Sequence, residues 1–296
     1  MVTENLEQNV RLTGSEIDFG NLAGLIGTWQ SANGFNMIAV PDQKGSFGLL
    51  VAPYTESLVI NAVPATTPNR GLFTIANLPT LQYSTTIMNI SDPTDPSLMH
   101  VECGFWELVD PTINDTFDIF RLATIPHGDS VEAMGKSRII PGPPKIDPAL
   151  SGLPTGALPA QAGYTDTYLF PFKYPAFSPA QPNKTLIEYL ANQEKNGLKV
   201  TKTVELVVST LNNAGGMNNI ASLRDNANPT RFDATFWLET LEDGKGNITR
   251  QLQYSQRILI EFPVQINAPG ETIVWPHINV NTLTLVPPAG GEQQTC

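Results

Sequence analysis

The chain has 296 residues and a formal net charge of −11, with 41% apolar and only 15% charged residues, 23 glycines and 25 prolines. That balance suits a strand-and-turn protein with few long helices. Its 17 basic residues form no stripe, which excludes nucleic acid and anionic membrane surfaces as expected partners. Two cysteines, Cys103 and Cys296, make no disulfide framework. Met1 to Asn21 is polar and acidic, so no secretory leader is expected. No apolar run approaches the ~18 residues of a membrane-spanning helix, and a soluble, cytoplasmic protein is expected.

In chain order, residues 1–20 read as a flexible lead and Leu22 to Ile26 as a short helical turn. The first strand is expected at Gly27-Thr28-Trp29-Gln30, followed by Phe35 to Val40, Phe47 to Ala52, Ser57 to Ala62 and Leu72 to Ile75, each bounded by glycine, proline or asparagine. Thr80 to Ile90, Met99 to Val109 and Phe117 to Thr124 continue the series. Short strands at this spacing predict an antiparallel barrel or sandwich.

Pro141 to Pro182 then holds ten prolines and two aromatic clusters, Tyr164 to Phe172 and Tyr174 to Phe177. An insertion packed on the body as a lid is expected there, in preference to a linker between two domains. Asn183 to Lys195 reads as the one short helix, capped by Asn183, with Leu186, Ile187 and Leu190 on one face and a stop at Gly197. Strands resume at Lys199 to Thr210, Arg231 to Glu242, Asn247 to Phe262 and Ile273 to Val286, and Asp243-Gly244-Lys245-Gly246 is a hairpin signal. Gly215 to Thr230 is expected to be a longer loop, and residues 287–296 a disordered tail.

The chain has three histidines. His277 follows Trp275-Pro276 in the closing strand, with the proline expected at the strand's beginning, so a rigid element holds the imidazole. It is a candidate metal or heme ligand, or a histidine that merely bonds a carbonyl. On an alternating strand His100, Glu102 and Trp106 share one face, and Arg121, Ala123, Ile125 and His127 share a face of the next. Two strands are thus expected to turn histidine, carboxylate and arginine inward together. Each residue alone also has an ordinary reading as a surface acid, a solvated arginine or a hydrogen-bonded core histidine. No H-E-x-x-H, C-x-x-C, P-loop, dinucleotide fingerprint or G-x-S-x-G motif is present. An aromatic-rich β-protein with few charges and isolated histidines is what a barrel around a hydrophobic cofactor needs.

Three blocks in order, Leu25-Ile-Gly-Thr-Trp29, Leu81-Gln-Tyr-Ser84 with Met99-His-Val-Glu-Cys-Gly-Phe-Trp106, and Trp275-Pro-His277, resemble the nitrobindin family of heme-binding β-barrels, related in architecture to fatty-acid-binding proteins. The resemblance implies His277 as the proximal iron ligand and Met99 and His100 as heme-pocket residues. Trp29 and Trp275, inside the matching blocks, join them as cofactor-binding candidates. Ala123-Thr-Ile-Pro-His-Gly128 has no counterpart in the simple family pattern. It more closely resembles a larger group of bacterial proteins described as heme-binding or peroxidase-like.

The expected fold is therefore all-β: one antiparallel up-and-down β-barrel of ~10 strands over residues 21–286, with residues 141–197 as the proline-rich insertion and its helix. The expected cofactor is heme b, held without covalent attachment because C-x-x-C-H is absent. The expected activity is peroxide-dependent oxidation, with His127 as the acid/base, His100 as the alternative base and Arg121 steadying developing charge. The expected partners are a small-molecule oxidant, either peroxide or a nitrogen oxide, and a small organic substrate, with a homodimer left open. The alternatives are a nitric oxide or peroxynitrite-handling heme protein, and a lipocalin-like carrier of a fatty acid or other apolar ligand whose carboxylate pairs with Arg121 or Arg257.

Overall fold

The structure is a computed structural model that describes residues 17–41, 47–70, 75–110, 115–156, 164, 177–211, 215–263 and 271–287. The flexible lead and the disordered tail fall mainly on residues 1–16 and 288–296, outside the described residues, as do residues 72–74 of the strand expected at Leu72 to Ile75.

Alternation of apolar and polar side chains builds the strands. In β5 (Thr80–Asn89), Leu81, Tyr83, Thr85 and Ile87 are buried while Gln82, Ser84 and Thr86 between them are exposed. The other long strands are β1 (Gly27–Pro41), β2 (Phe47–Ala62), β6 (Ser97–Leu108), β7 (Ile119–Ile125), β8 (Asp129–Pro141), β10 (Lys199–Ser209), β12 (Asn228–Glu242), β13 (Ile248–Pro263) and β14 (Thr272–Leu285). Each pairs antiparallel with the next along the chain, and β14 returns to β1, which closes a 10-strand up-and-down barrel. Smaller pieces decorate it: the β3 (Thr67–Arg70) and β4 (Ile75–Leu78) hairpin, β9 (Thr155–Gly156) on β14, and β11 (Gly216–Asn219) on β8.

Several expected segments merge. Gly27 to Gln30 and Phe35 to Val40 are one strand, because the register slips between Ser31 and Gly34 and the ladder to β2 then resumes. Phe47 to Ala62 is likewise continuous. β8 had no counterpart among the expected strands. Its inward residues Val131, Ala133 and Gly135 are small, and a Cβ on Gly135 would collide with the Val207 carbonyl of neighbouring β10.

One end of the barrel is shut by a 3-10 turn, Gly20–Leu25, whose Leu22 and Leu25 are wholly buried with Phe19 and Trp29. Trp29 Nε1 donates to the Leu25 carbonyl at 2.8 Å. The described residues of the insertion lie against the outside: Phe177 stacks on Phe35, and Tyr164 packs on Trp275 with ring centroids 4.1 Å apart. Helix α1 (Lys184–Lys195) adds Leu186, the only residue of its expected apolar face that is fully covered. Asn183 does not cap the helix with its side chain. Its Nδ2 donates to the Asp147 carbonyl and its Oδ1 accepts from Ser255 Oγ, so it ties the insertion to the barrel. Gly215 to Thr230, expected as a loop, contains β11 and a second short helix, α2 (Ala221–Arg224). Among the described residues no helix is long and apolar enough to cross a membrane.

Candidate functional site

A cavity of about 370 Å³ lies inside the barrel, with a mostly apolar lining. That volume falls in the range of small-molecule sites. All three histidines line it, together with Met99, Glu102 and Arg121. Trp29 and Trp275 do not. Trp29 belongs to the shut end, and Trp275 is buried between Phe47 and Tyr164, so neither reaches the chamber. Arg257 also stays out, because Gln256 and Ile258 on either side of it face the cavity and its own guanidinium pairs with Asp233 at 3.0 Å.

Local backbone irregularities place the histidines. In β6 the register slips between the Ile87–His100 and Met88–Leu98 pairs, leaving Met99 as the extra residue. This bulge lets adjacent Met99 and His100 both face inward. β7 ends at Ile125, and His127 sits in the turn to β8, where Gly128 N bonds the Ile125 carbonyl at 2.9 Å. Arg121 and Ile125 line the cavity from the strand and His127 from the turn, while Ala123, expected on the same face, is not part of the lining. Pro276 lies well inside β14 and not at its start. Among the described residues the far edge of β14 is unpaired between Val274, the last partner of β9, and Ile278, the last partner of β1. The missing proline N–H does least harm in such a gap, and His277 follows directly.

Glu102 is the hub of the charged cluster. Its Oε1 accepts from Arg121 Nη2 at 2.6 Å and from the Tyr83 hydroxyl, and its Oε2 meets His100 Nε2 at 3.3 Å. Burial alone would raise the Glu102 carboxyl. The Arg121 guanidinium and the bonds from His100 and Tyr83 outweigh it and hold the pKa at about 2. Arg121 is 5% exposed and walled by the rings of Tyr83, Trp106, Phe232 and Phe236 at 4.9 to 5.9 Å. Its Nη1 is buried without a partner, and so is Asp129 Oδ1.

His277 is different in kind. Burial, with His100 and His127 adding to it, pushes its pKa down to about 4, so the ring is neutral at pH 7. Its Nε2 bonds Asn36 Oδ1, and Asn279 Nδ2 lies 3.4 Å away. His100 and His127 face each other with ring centroids 5.5 Å apart. His127 is the exposed one, at the rim.

A second buried acid, Glu56, was not anticipated. It accepts from Thr85 Oγ1 at 2.8 Å, Tyr254 Oη at 2.6 Å and Asn281 Nδ2 at 2.7 Å. Burial pushes its pKa up against those bonds, and Glu102 adds to the rise. The sequence does carry a signal for it: Glu56 shares the inward alternation of Tyr54 and Leu58 in a long apolar strand. Asn36 and Asn279 were missed for want of any such contrast. No family model, curated protein or solved structure matches the chain.

Proposed function

We propose that the barrel is a heme b protein that performs peroxide-dependent oxidation, with His277 as the imidazole that would hold the iron. The observation that carries this reading is the gathering of all three histidines around one apolar cavity, with His277 neutral and apart from the His100–Glu102 pair. Metal ligation uses the neutral imidazole. Among the described residues no group of three or more His, Cys, Asp or Glu side chains could hold a bare metal ion. A metal at His277 therefore has to arrive with most of its ligands supplied, as in a porphyrin. The apolar walls suit a large apolar group.

Bound there, heme supplies the iron that reacts with peroxide or a nitrogen oxide. His277 would hold the group, and Asn36 and Asn279 orient its ring. His100 is a stronger candidate for the base than His127, because an ionised carboxylate holds the hydrogen on His100 Nε2 and leaves Nδ1 to accept a proton. Arg121 and Tyr83 keep Glu102 charged and in place. Met217 of β11 and Leu223 of α2 add apolar side chains to the chamber wall. The nitrogen-oxide alternative requires no working base.

Stopped-flow mixing of the heme-loaded protein with peroxide tests the reading. His100→Ala is expected to slow the reaction by ~100-fold or more with the resting spectrum intact, the lower end of what a positioned base contributes. If neither His100→Ala nor His127→Ala changes the rate, the nitrogen-oxide reading replaces this one.

A further inference from the structure

We infer that the Arg121 end of the chamber is a subsite for the carbonyl oxygen of an uncharged aromatic molecule, received by Arg121 Nη1. The guanidinium is almost wholly buried, and only one of its terminal nitrogens is used, by Glu102. A buried donor left without an acceptor is costly, so Nη1 favours any ligand that delivers an oxygen to it.

The charges on the wall set the class of that oxygen. Three acids face the cavity, Glu56, Glu102 and Asp129, against Arg121 and the imidazoles of His100, His127 and His277. Glu102 already neutralises Arg121, and Glu56 is pushed toward its neutral form beside it. A ligand carboxylate at this end would therefore add an acid beside a guanidinium that Glu102 already pairs. A ligand hydroxyl has a hydrogen of its own to place, and the Glu102 carboxylate beside the guanidinium already accepts three bonds, from Arg121, Tyr83 and His100. A carbonyl accepts without donating. The four rings around the guanidinium favour a flat aromatic body next to that carbonyl.

The subsite rests on the reading above only for a chamber that admits an organic substrate. Its test uses heme-free protein, so failure of either is seen separately. The probes are 2-acetonaphthone, 2-naphthoate and naphthalene, which share one ring system and present a ketone oxygen, a carboxylate and no oxygen, titrated calorimetrically into the full chain. The ketone is expected to bind at least about tenfold more tightly than the other two, the size of one hydrogen bond to a charged donor. In ¹⁵N-arginine-labelled protein the Arg121 guanidinium signals should move as the ketone saturates. Arg121→Met combined with Glu102→Gln, which leaves no buried charge alone, should reduce the ketone to the affinity of naphthalene. Naphthoate binding as tightly as the ketone, guanidinium signals unmoved at saturation, or no binding of any probe would each overturn the subsite.

Discussion

Arg121 on β7 and Glu102 on β6 form an ion pair 2.6 Å long inside the barrel, with side chains only 6% and 9% exposed. The two residues are not opposite one another in the ladder, where Arg121 faces Trp106. The pair therefore runs diagonally across the inner face and is held by side-chain packing. Buried pairs of this kind add little net stability, but breaking one leaves a charge stranded. Arg121→Met alone is expected to cost about 3–5 kcal/mol in urea unfolding. Adding Glu102→Gln should recover most of that loss. Additive costs in the double variant would show that the two side chains do not act as a pair.

A second prediction concerns helix α1. Beneath it Glu239 is fully buried and accepts from Gln251 Nε2, and Gln251 Oε1 in turn accepts from Gln193 of the helix at 2.7 Å. Burial pushes the Glu239 pKa up to about 8 against the Gln251 bond. The folded chain thus keeps this proton up to pH 8, while the unfolded chain releases it near the ordinary value of 4.5. The stability this proton confers is complete below pH 4.5 and is lost as pH rises through 8. Glu239→Gln should match the wild type near pH 5 and exceed it by on the order of a few kcal/mol at pH 9, measured by urea unfolding at both values. Equal stability at pH 9 would show that the carboxyl is already ionised in the fold.

The third prediction tests why β8 resisted reading. Ala133 and Gly135 lack the bulk that marks a strand, yet at Gly135 small size is what the neighbouring β10 backbone demands, since a Cβ there meets the Val207 carbonyl and Val208 Cα. Gly135→Ala is expected to lower stability by more than about 2 kcal/mol, well beyond the helix- or strand-propensity scale. A thermal melt within a few degrees of wild type would mean that β8 and β10 part easily there.

The sequence carried the barrel in its alternation and its turns, because period-two patterning and glycine-rich bends are local properties. Asp243 to Gly246 behaves as read: it joins β12 to β13, Gly246 has φ +83°, and Asp243 Oδ1 accepts from the Lys245 and Asn247 backbone. What depends on partners far along the chain was not legible. Asn183 has a capping residue's identity and a tether's contacts, decided by Asp147 and Ser255. The inward set of Arg121 and Glu102 followed from alternation, and so did His100, although a bulge placed Met99 beside it. Trp29 and Trp275 shared blocks with chamber residues, but closure of one end and packing of Tyr164 and Phe47 took them out of it. The alternation of Tyr54 and Leu58 turns Glu56 inward, but its partners Tyr254 and Asn281 lie some two hundred residues away and were not legible.

Binding of hemin to the purified chain, followed by its Soret absorbance, tests the central claim most directly. The wild type and His127→Ala should take up one equivalent and give the same ferric band. His277→Ala should lose that band or shift it strongly, with its fold verified by circular dichroism. An unaltered spectrum in His277→Ala, with the band lost instead in His100→Ala or His127→Ala, would contradict the account.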